Sequence, residues 1–375
     1  MAGPLSGYRV LDMSRVLAGP WAGQLLADLG AEVIKIERPK VGDDTRHWGP
    51  PYLKDTAGND TEDAAYFFSA NRGKRSLTVD ITQPEGQAII RELAAKVDVL
   101  IENYKVGGLA KYGLDYSSLK EINPKLVYCS ITGFGQTGPY AHRPGYDFLI
   151  QGMGGLMSVT GEPDGEHGGG PTKVGVAVTD IFTGLYAANA IQGALLERHT
   201  SGQGQSIDLA LLDVQAAVMA NQASNYLIGG QIPGRLGNAH PNIVPYQAFA
   251  TLDSHIIVAV GNDQQFQRFC HVIGQPEWGD DPRYTSNTAR VNNREALCGH
   301  ITQHFKQQTS QYWLSNLEAN AVPCGPINTI DQVFDDPQLR SRNMVLTMQD
   351  HRAGDIQLVA NPINYSRSQI EYDLA

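Results

Sequence analysis

The residue with the most chemical promise, Asp180, also has a plain structural use. It sits at the start of a run of small residues, 179–199 (TDIFTGLYAANAIQGALLERH), that reads as one long helix. A carboxylate in a helix's first turn is stabilised by the free N–H groups and by the helix dipole, and periodicity alone favours such a cap. The same physics keeps a carboxylate ionised beside Gly and Ala, which admit a ligand closely, and there it could act as a nucleophile. A second set of residues is cationic: Arg38 behind Glu37, and the run Asn71-Arg72-Gly73-Lys74-Arg75. Guanidinium forks match the paired oxygens of phosphate and carboxylate. Arg38, Arg72, Lys74 and Arg75 could therefore form a positive patch for a polyphosphate nucleotide, although the residues alone favour a surface Arg38 paired with Glu37 or Asp43, and a solvated turn also explains the second cluster. The histidines His47, His142, His167 and His240 fall in loops, without HExxH or GxSxG.

Elements must position these groups. Over the first 130 residues, short β-branched runs alternate with amphipathic segments. Strands are expected at 8–13, 31–37, 76–80, 98–102 and 126–131. One helix is expected at 21–29, ended by Gly30. Another follows Thr82-Gln83-Pro84-Glu85, read as a capping box with Thr82 as N-cap. This alternation builds a parallel sheet covered by helices, with the ligand beyond the first βα turn. That turn, Ser14-Arg15-Val16-Leu17-Ala18-Gly19-Pro20, lacks G-x-G-x-x-G, so no nicotinamide fingerprint stands where it should.

The Gly- and Pro-rich stretch 132–178 reads as an ordered loop system around a site. Beyond the long helix come a strand at 206–211 and a helical connector at 213–227. A second αβ pattern follows, with a strand at 255–260 and helices at 264–273 and 294–306. Pro323-Cys324-Gly325-Pro326 reads as a turn, and a last strand is expected at 355–359. Gly261-Asn262-Asp263 leads into the 264–273 helix, with Asn262 or Asp263 as its N-cap. The expected fold class is α/β: a large doubly wound, Rossmann-like domain over 1–205 completed by 326–375, a linker at 206–228, and a smaller α/β domain at 229–325.

Composition bounds the partners. The 375 residues are 42% hydrophobic and 18% charged, ample for a large core. Lys+Arg 29 against Asp+Glu 39 gives a net charge of −10, which argues against nucleic acid or an anionic membrane as the main partner. Cys129, Cys270, Cys298 and Cys324 lie far apart with no CxxC, so neither a disulfide framework nor a zinc site is indicated, and free thiols in a reducing cytoplasm are expected. The first residues carry no secretory signal, and no run of about 18 apolar residues could span a membrane.

Several ordered motifs resemble class III CoA-transferases, the formyl-CoA transferase and carnitine CoA-transferase family. They are Arg15-Val16-Leu17-Ala18-Gly19-Pro20, Gly30-Ala31-Glu32-Val33-Ile34-Lys35-Ile36-Glu37-Arg38-Pro39, Gly42-Asp43-Asp44-Thr45-Arg46, Asn71-Arg72-Gly73-Lys74-Arg75-Ser76, Glu102-Asn103-Tyr104, Gly133-Phe134-Gly135-Gln136-Thr137-Gly138-Pro139 and Thr200-Ser201-Gly202-Gln203-Gly204-Gln205. Trp48-Gly49-Pro50-Pro51, Asn225-Tyr226-Leu227-Ile228-Gly229, the run from His240 to Phe249 and Gly261-Asn262-Asp263-Gln264-Gln265-Phe266 are most similar to the succinate–hydroxymethylglutarate (glutarate) branch.

The resemblance implies an interlocked, ring-like homodimer, coenzyme A or acyl-CoA as substrate, no metal, and Asp180 as the catalytic aspartate. It implies a CoA groove lined by Val16, Leu17, Ala18, Arg38, Ala70, Asn71, Arg72, Gly73, Asn103, Tyr104 and Lys111, completed near the thioester by Arg143, Tyr146 and Asp147. Asp180, at an ordinary carboxyl pKa of about 3.9, would be ionised at neutral pH without a base. A dicarboxylic acceptor would need a cation, for which Arg46 and His240 are candidates. Gly261, Asn262 and Asp263 replace the glycine run of the formyl-CoA transferases and would add polar contacts. The chain also stops short of a C-terminal tail common in the family.

Other readings are acetyl-CoA or formyl-CoA:oxalate transfer, 2-methylacyl-CoA racemisation, and a non-catalytic acyl-CoA-binding protein. Racemases of this fold carry a His-Asp pair where this chain has Tyr146-Asp147, and Tyr, with a pKa of about 10, is a poor base at neutral pH.

Overall fold

The β-branched runs of the first half pair into a six-stranded parallel sheet. In the computed structural model, which describes residues 3–370, Tyr372 and Leu374, its strands are β1 (Arg9–Asp12), β2 (Glu32–Glu37), β3 (Lys74–Thr78), β4 (Val99–Glu102), β5 (Val127–Thr132) and β6 (Ser206–Ala210). They lie in the order β3-β2-β1-β4-β5-β6, and every pairing is parallel. All lie within two residues of the expected spans. This is the order of a doubly wound sheet, in which growth reverses between β1 and β4 and ligands sit beyond the strand C-termini at that reversal.

The connecting helices are α1 (Ala18–Asp28), α2 (Pro84–Ala94), α3 (Tyr116–Ile122), α4 (Asp147–Met153) and α5 (Val178–Ser201), followed past β6 by α6 (Leu211–Val218) and α7 (Ala220–Leu227). Successive strand side chains point to opposite faces. Val10, Val33, Ile101, Cys129 and Ile131 share one core with Ala22 and Leu26 of α1 and Ala187 and Ile191 of α5. Leu11, Ile36, Leu100 and Tyr128 share another with Ile90 of α2 and Leu119 of α3. Gly184 lets α5 approach α1 closely, because a Cβ there would stand 2.7 Å from the Ala18 carbonyl oxygen.

Three expectations are corrected. Thr82 does not cap α2: its hydroxyl donates to Asp80 at 2.6 Å, the N-cap is Gln83 with no side-chain bond, and Pro84 starts the helix. The span 206–228 is not a linker, because β6 pairs with β5 as an edge strand of the sheet and α6 and α7 follow, broken where Ala220 takes φ 43°. Residues 324–326 form a strand rather than a turn.

Two compact units are present. The first takes the chain up to Leu156, then Lys173–Gln231 and everything from Pro337 on. The second is Met157–Thr172 with Ile232–Asp336. Its sheet is antiparallel, β7 (Tyr246–Ala250), β8 (His255–Ala259) and β9 (Cys324–Pro326), in the order β9-β8-β7. Helices Asp263–Val272, Arg294–Phe305 and Ser310–Ala319 pack Phe266, Phe269, Leu297, Phe305 and Trp313 against Phe249 and Val258. Residues 157–172 join this unit through their carbonyls: the Gly237 N–H donates to the Gly161 carbonyl, and Arg235 Nε donates to the Glu162 carbonyl.

Candidate functional site

The C-terminal ends of five strands open into one cavity of about 500 Å³ in the first unit. The segment after β1 supplies Arg15, Val16, Leu17 and Ala18. The end of β2 supplies Arg38, and the residues beyond β3 supply Val79, Asp80, Ile81 and Thr82. Those beyond β4 supply Asn103, Tyr104 and Lys105, and β5 ends at Thr132 and Gly133. Lys111 and Tyr112 join them, as do Arg143, Pro144, Gly145 and Tyr146, with Asp180 from the first turn of α5. The cavity's lining carries five cations, Arg15, Arg38, Lys105, Lys111 and Arg143, beside the carboxylates Glu37, Asp43, Asp80 and Asp180. Arg15 and Arg38 share Asp44, at 2.9 Å and 2.7 Å. Such a lining suits a ligand with an aromatic end and several anionic oxygens.

Asp180 does not cap its helix. The N-cap, Ala177, has no capping side chain. Asp147, in the first turn of α4, takes that duty. Its Oδ2 accepts the Thr179 and Asp180 N–H groups at 2.9 Å and 3.3 Å, and its Oδ1 accepts from Gln151 at 2.6 Å. The Asp180 carboxylate is thereby left to the cavity. Burial and the Asp147 charge push its pKa up to about 7. The expectation of an ordinary carboxyl is corrected: in this pocket burial and the neighbouring carboxylate shift Asp180 upward, toward its neutral form. Burial and the charges of Asp180 and Asp147 also raise the Tyr66 phenol.

Close backbone packing shapes the wall next to Asp180. Gly133 and Gly145 lie back to back, and a Cβ on Gly145 would come within 2.4 Å of the Gly133 Cα. No other residue fits at either position without moving a chain segment.

Ten of the residues named by resemblance meet in the cavity: Val16, Leu17, Ala18, Arg38, Asn103, Tyr104, Lys111, Arg143, Tyr146 and Asp180. Ala70, Asn71, Arg72 and Gly73 do not. They precede β3, at the opposite end of a parallel strand from the ligand edge. Arg72 is buried and binds Asp28 through Nε and Nη2 at 2.9 Å and 2.6 Å. Asn71 donates to the Phe67 carbonyl and accepts from Lys74, and the Gly73 N–H donates to the Leu374 carbonyl. Lys74 is bound to Asp12 at 2.8 Å. Arg75 is exposed and does not line the cavity, so the proposed patch of Arg38, Arg72, Lys74 and Arg75 reduces to Arg38, and Val79–Thr82 hold the wall instead. Those four are largely uncharged, so charge gave no clue, but their place just past the third expected strand did.

Arg46 is likewise corrected. Its Nε and Nη2 bind Glu37, each at 2.8 Å, and its Nη1 binds Asp63 at 2.7 Å. Its guanidinium lies 3.6 Å from the centre of the Phe67 ring. Burial alone would raise the Glu37 carboxyl, but Arg46, Ser76 and the Asp43 N–H outweigh it and hold it down to about 2. Three of its five N–H groups, and its charge, are thus committed to this frame, and Arg46 is not among the residues lining the cavity.

His240, Gly261, Asn262 and Asp263 belong to the second unit. The His240 ring accepts from the Asn242 N–H at 3.1 Å and packs on Tyr246. Asn262 caps its helix by accepting from the Gln265 N–H, as expected. The Gly261 N–H donates to the Gln265 side chain at 2.7 Å, and Asp263 pairs with the buried Arg290 at 2.8 Å.

Among the described residues, no helix is long and apolar enough to cross a membrane, and no group of three or more His, Cys, Asp or Glu side chains could hold a metal ion.

Known proteins share both sequence and fold. The sequence profile of CoA-transferase family III matches residues 5–375. The chain is 53% identical to the succinate–glutarate CoA-transferase of Agrobacterium fabrum, over 99% of this chain and 91% of that one. It is 44% identical to the succinyl-CoA:glutarate CoA-transferase of Homo sapiens, over 97% of this chain and 81% of that one. A crystal structure of a CAIB/BAIF family protein from Brucella suis matches with a TM-score of 0.85 at 51% identity, covering 100% of this chain and 96% of that one.

Proposed function

This chain belongs to CoA-transferase family III, and from that premise we propose that it moves CoA from succinyl-CoA to glutarate through covalent chemistry at Asp180. The observation that carries this reading is the Asp180 carboxylate, released from capping by Asp147, in a cavity lined by five cations at the reversal point of the sheet.

An ionised Asp180 oxygen adds to the succinyl-CoA carbonyl. The C–S bond breaks, CoA leaves as thiolate, and a mixed aspartyl–succinyl anhydride forms. The thiolate then attacks the aspartyl carbonyl, releasing succinate and leaving an aspartyl-CoA thioester. A glutarate carboxylate displaces the thiolate again, giving a second anhydride. Attack of the thiolate on its glutaryl carbonyl yields glutaryl-CoA and restores Asp180. Bonds exchanged are alike on both sides and protons balance. CoA held in the groove by Arg15, Arg38, Lys105 and Lys111 makes each return attack effectively intramolecular.

The raised pKa of Asp180 fixes a pH response. Only the carboxylate is nucleophilic, so kcat/KM for succinyl-CoA should fall as the pH drops through about 7. Asp147→Asn keeps a capping oxygen and removes the neighbouring charge, so the acidic limb should move to lower pH while burial still holds it above an ordinary Asp. A limb that stays in place in this variant would show that Asp147 does not set the Asp180 titration.

Glutarate's distal carboxylate needs a cation. We assign it to Arg143, whose guanidinium lies 5.2 Å and 4.7 Å from the ring centres of Phe134 and Tyr140 and lines the same cavity as Asp180. Wild-type enzyme should convert succinyl-CoA and glutarate to glutaryl-CoA and succinate, and failure to do so would refute the substrate pair. Arg143→Gln should raise KM for glutarate about ten- to hundred-fold, the range expected for a lost charge-assisted bond, and spare monocarboxylate acceptors. An unchanged acceptor preference would take Arg143 out of this role.

We further propose that two copies interlock as a homodimer in the cytoplasm. Phe182, Leu185, Tyr186 and Leu196 of α5, with Leu227 and Ile228, leave apolar surface exposed that a second copy would cover, and the four cysteines are free thiols. The chemistry of a racemase has less support, since both Asp147 oxygens are committed to hydrogen bonds.

A further inference from the structure

Val16 lines the cavity at its floor in a conformation a β-branched residue avoids. Its φ is 71°, in the left-handed region where the Cβ crowds the backbone. Such outliers persist only where the surroundings over-determine them, and they gather at ligand clamps.

The surroundings here fix both peptide groups that lead into Val16. In the first, the Ser14 carbonyl accepts from Lys35 Nζ at 3.0 Å and the Arg15 N–H donates to Asn103 Oδ1 at 2.9 Å. In the second, the Arg15 carbonyl accepts from Asn103 Nδ2 at 2.7 Å and the Val16 N–H donates to both oxygens of Asp43, each at 3.3 Å. The side beyond Val16 is fixed as well, because the Trp21 N–H bonds the Leu17 carbonyl and opens α1. With the peptide planes fixed before Val16 and the helix fixed after it, the turn has one way to close.

Asp43 is itself held rigidly. Its Oδ2 pairs with Lys35 Nζ at 2.8 Å, and both side chains are within 1% of full burial. Its Oδ1 accepts the Thr45 N–H and hydroxyl at 3.0 Å and 2.8 Å, and its own N–H donates to Glu37 at 2.7 Å. Neither Lys35 nor the amide pair of Asn103 needs to touch a ligand to do this.

We propose that Lys35 and Asp43, both buried, and Asn103 at the cavity wall form a clamp that holds Val16 left-handed and so presents Val16-Leu17-Ala18 to the CoA moiety. Asp43 and Lys35 are positioning residues for the transfer reaction. The inference rests on the cavity being the CoA site, as proposed above.

The test is titration of CoA into purified wild type, Asp43→Asn, Val16→Gly and the double variant, with steady-state kinetics alongside. Asp43→Asn should raise the CoA Kd and the KM for succinyl-CoA about ten-fold with kcat within about three-fold, since the chemistry is untouched. Glycine adopts φ > 0 without strain. In the double variant, the Asp43→Asn loss should therefore shrink to about three-fold relative to Val16→Gly alone, a non-additivity that a general structural defect would not produce. Should Asp43→Asn fail to fold, Asn103→Ala is crossed with Val16→Gly in the same way; because Asn103 also lines the cavity, the part of its loss that Val16→Gly relieves is what reports the clamp. A wild type that binds CoA, with either clamp variant binding equally well or with losses that Val16→Gly leaves unchanged, overturns the clamp alone. A wild type that shows no CoA binding overturns the function proposed above and the clamp's ligand role with it.

Discussion

Asp180→Asn should lose transfer activity by about four orders of magnitude or more, because removing a covalent nucleophile removes the reaction path itself and not one contribution to it. CoA binding should survive, since the asparagine side chain is of the same size and the cations of the groove are untouched. The same variant should be the more stable protein at neutral and higher pH. In the wild type, the folded-state pKa, pushed up to about 7, stands well above that of an exposed Asp, about 3.9. Folding therefore opposes ionisation, and the stability present below the unfolded pKa is lost as pH rises through the folded one. Asp180→Asn removes that loss. Its melting temperature should exceed the wild type's at about pH 8, and the gap should close as pH falls toward the unfolded pKa. Near-normal turnover in this variant would end the covalent scheme.

Arg72→Ala should be among the most destabilising single changes in the chain and should leave the ligand site intact. Arg72 and Asp28 are 5% and 1% exposed as side chains. Arg72 also donates to the Val359 carbonyl at 2.6 Å, and Asn361 donates to Asp28 at 2.9 Å, so the pair ties α1 to the C-terminal segment. Removing the cation leaves a carboxylate buried with its main partner gone, at a cost of about 3–5 kcal/mol. That is a large share of the ~5–15 kcal/mol by which domains are stable. Denaturant unfolding should show the loss, with an unchanged CoA Kd for the folded enzyme. A variant of normal stability with weakened CoA binding would return Arg72 to the groove.

These two residues mark what could be read from sequence. The β-branched runs that became β1, β2, β4 and β5 were legible because a short continuous apolar run is the local mark of a strand buried on both faces. Asp180 was visible as a helix-start carboxylate, but its release from capping was not, since the replacement cap, Asp147, lies 32 positions away from the Thr179 N–H it binds. Its role came from resemblance. Arg72 and Lys74 read as a ligand patch because a cation looks the same in sequence whether it meets phosphate or a buried carboxylate. Their partners, Asp28 and Asp12, stand 44 and 62 positions away. Arg46 was misread for the same reason. Val79–Thr82 were missed because they carry no charge cluster, though the C-terminal edge of a parallel strand is where a wall residue belongs. The positive φ at Val16 had no sequence signal at all, because valine is not the residue a left-handed turn selects.

The central claim is that an Asp180 oxygen is bonded to carbon in every turnover. Glutarate labelled with heavy oxygen in both carboxylates tests this most directly. Each pass through the second anhydride returns to Asp180 one oxygen that came from the acceptor. After turnover with succinyl-CoA, the proteolytic peptide containing Asp180 should be heavier by the label, and fragmentation should place it on that side chain. Rapid formation of glutaryl-CoA with no label in the peptide would mean that the acceptor never met Asp180, and the account would be wrong.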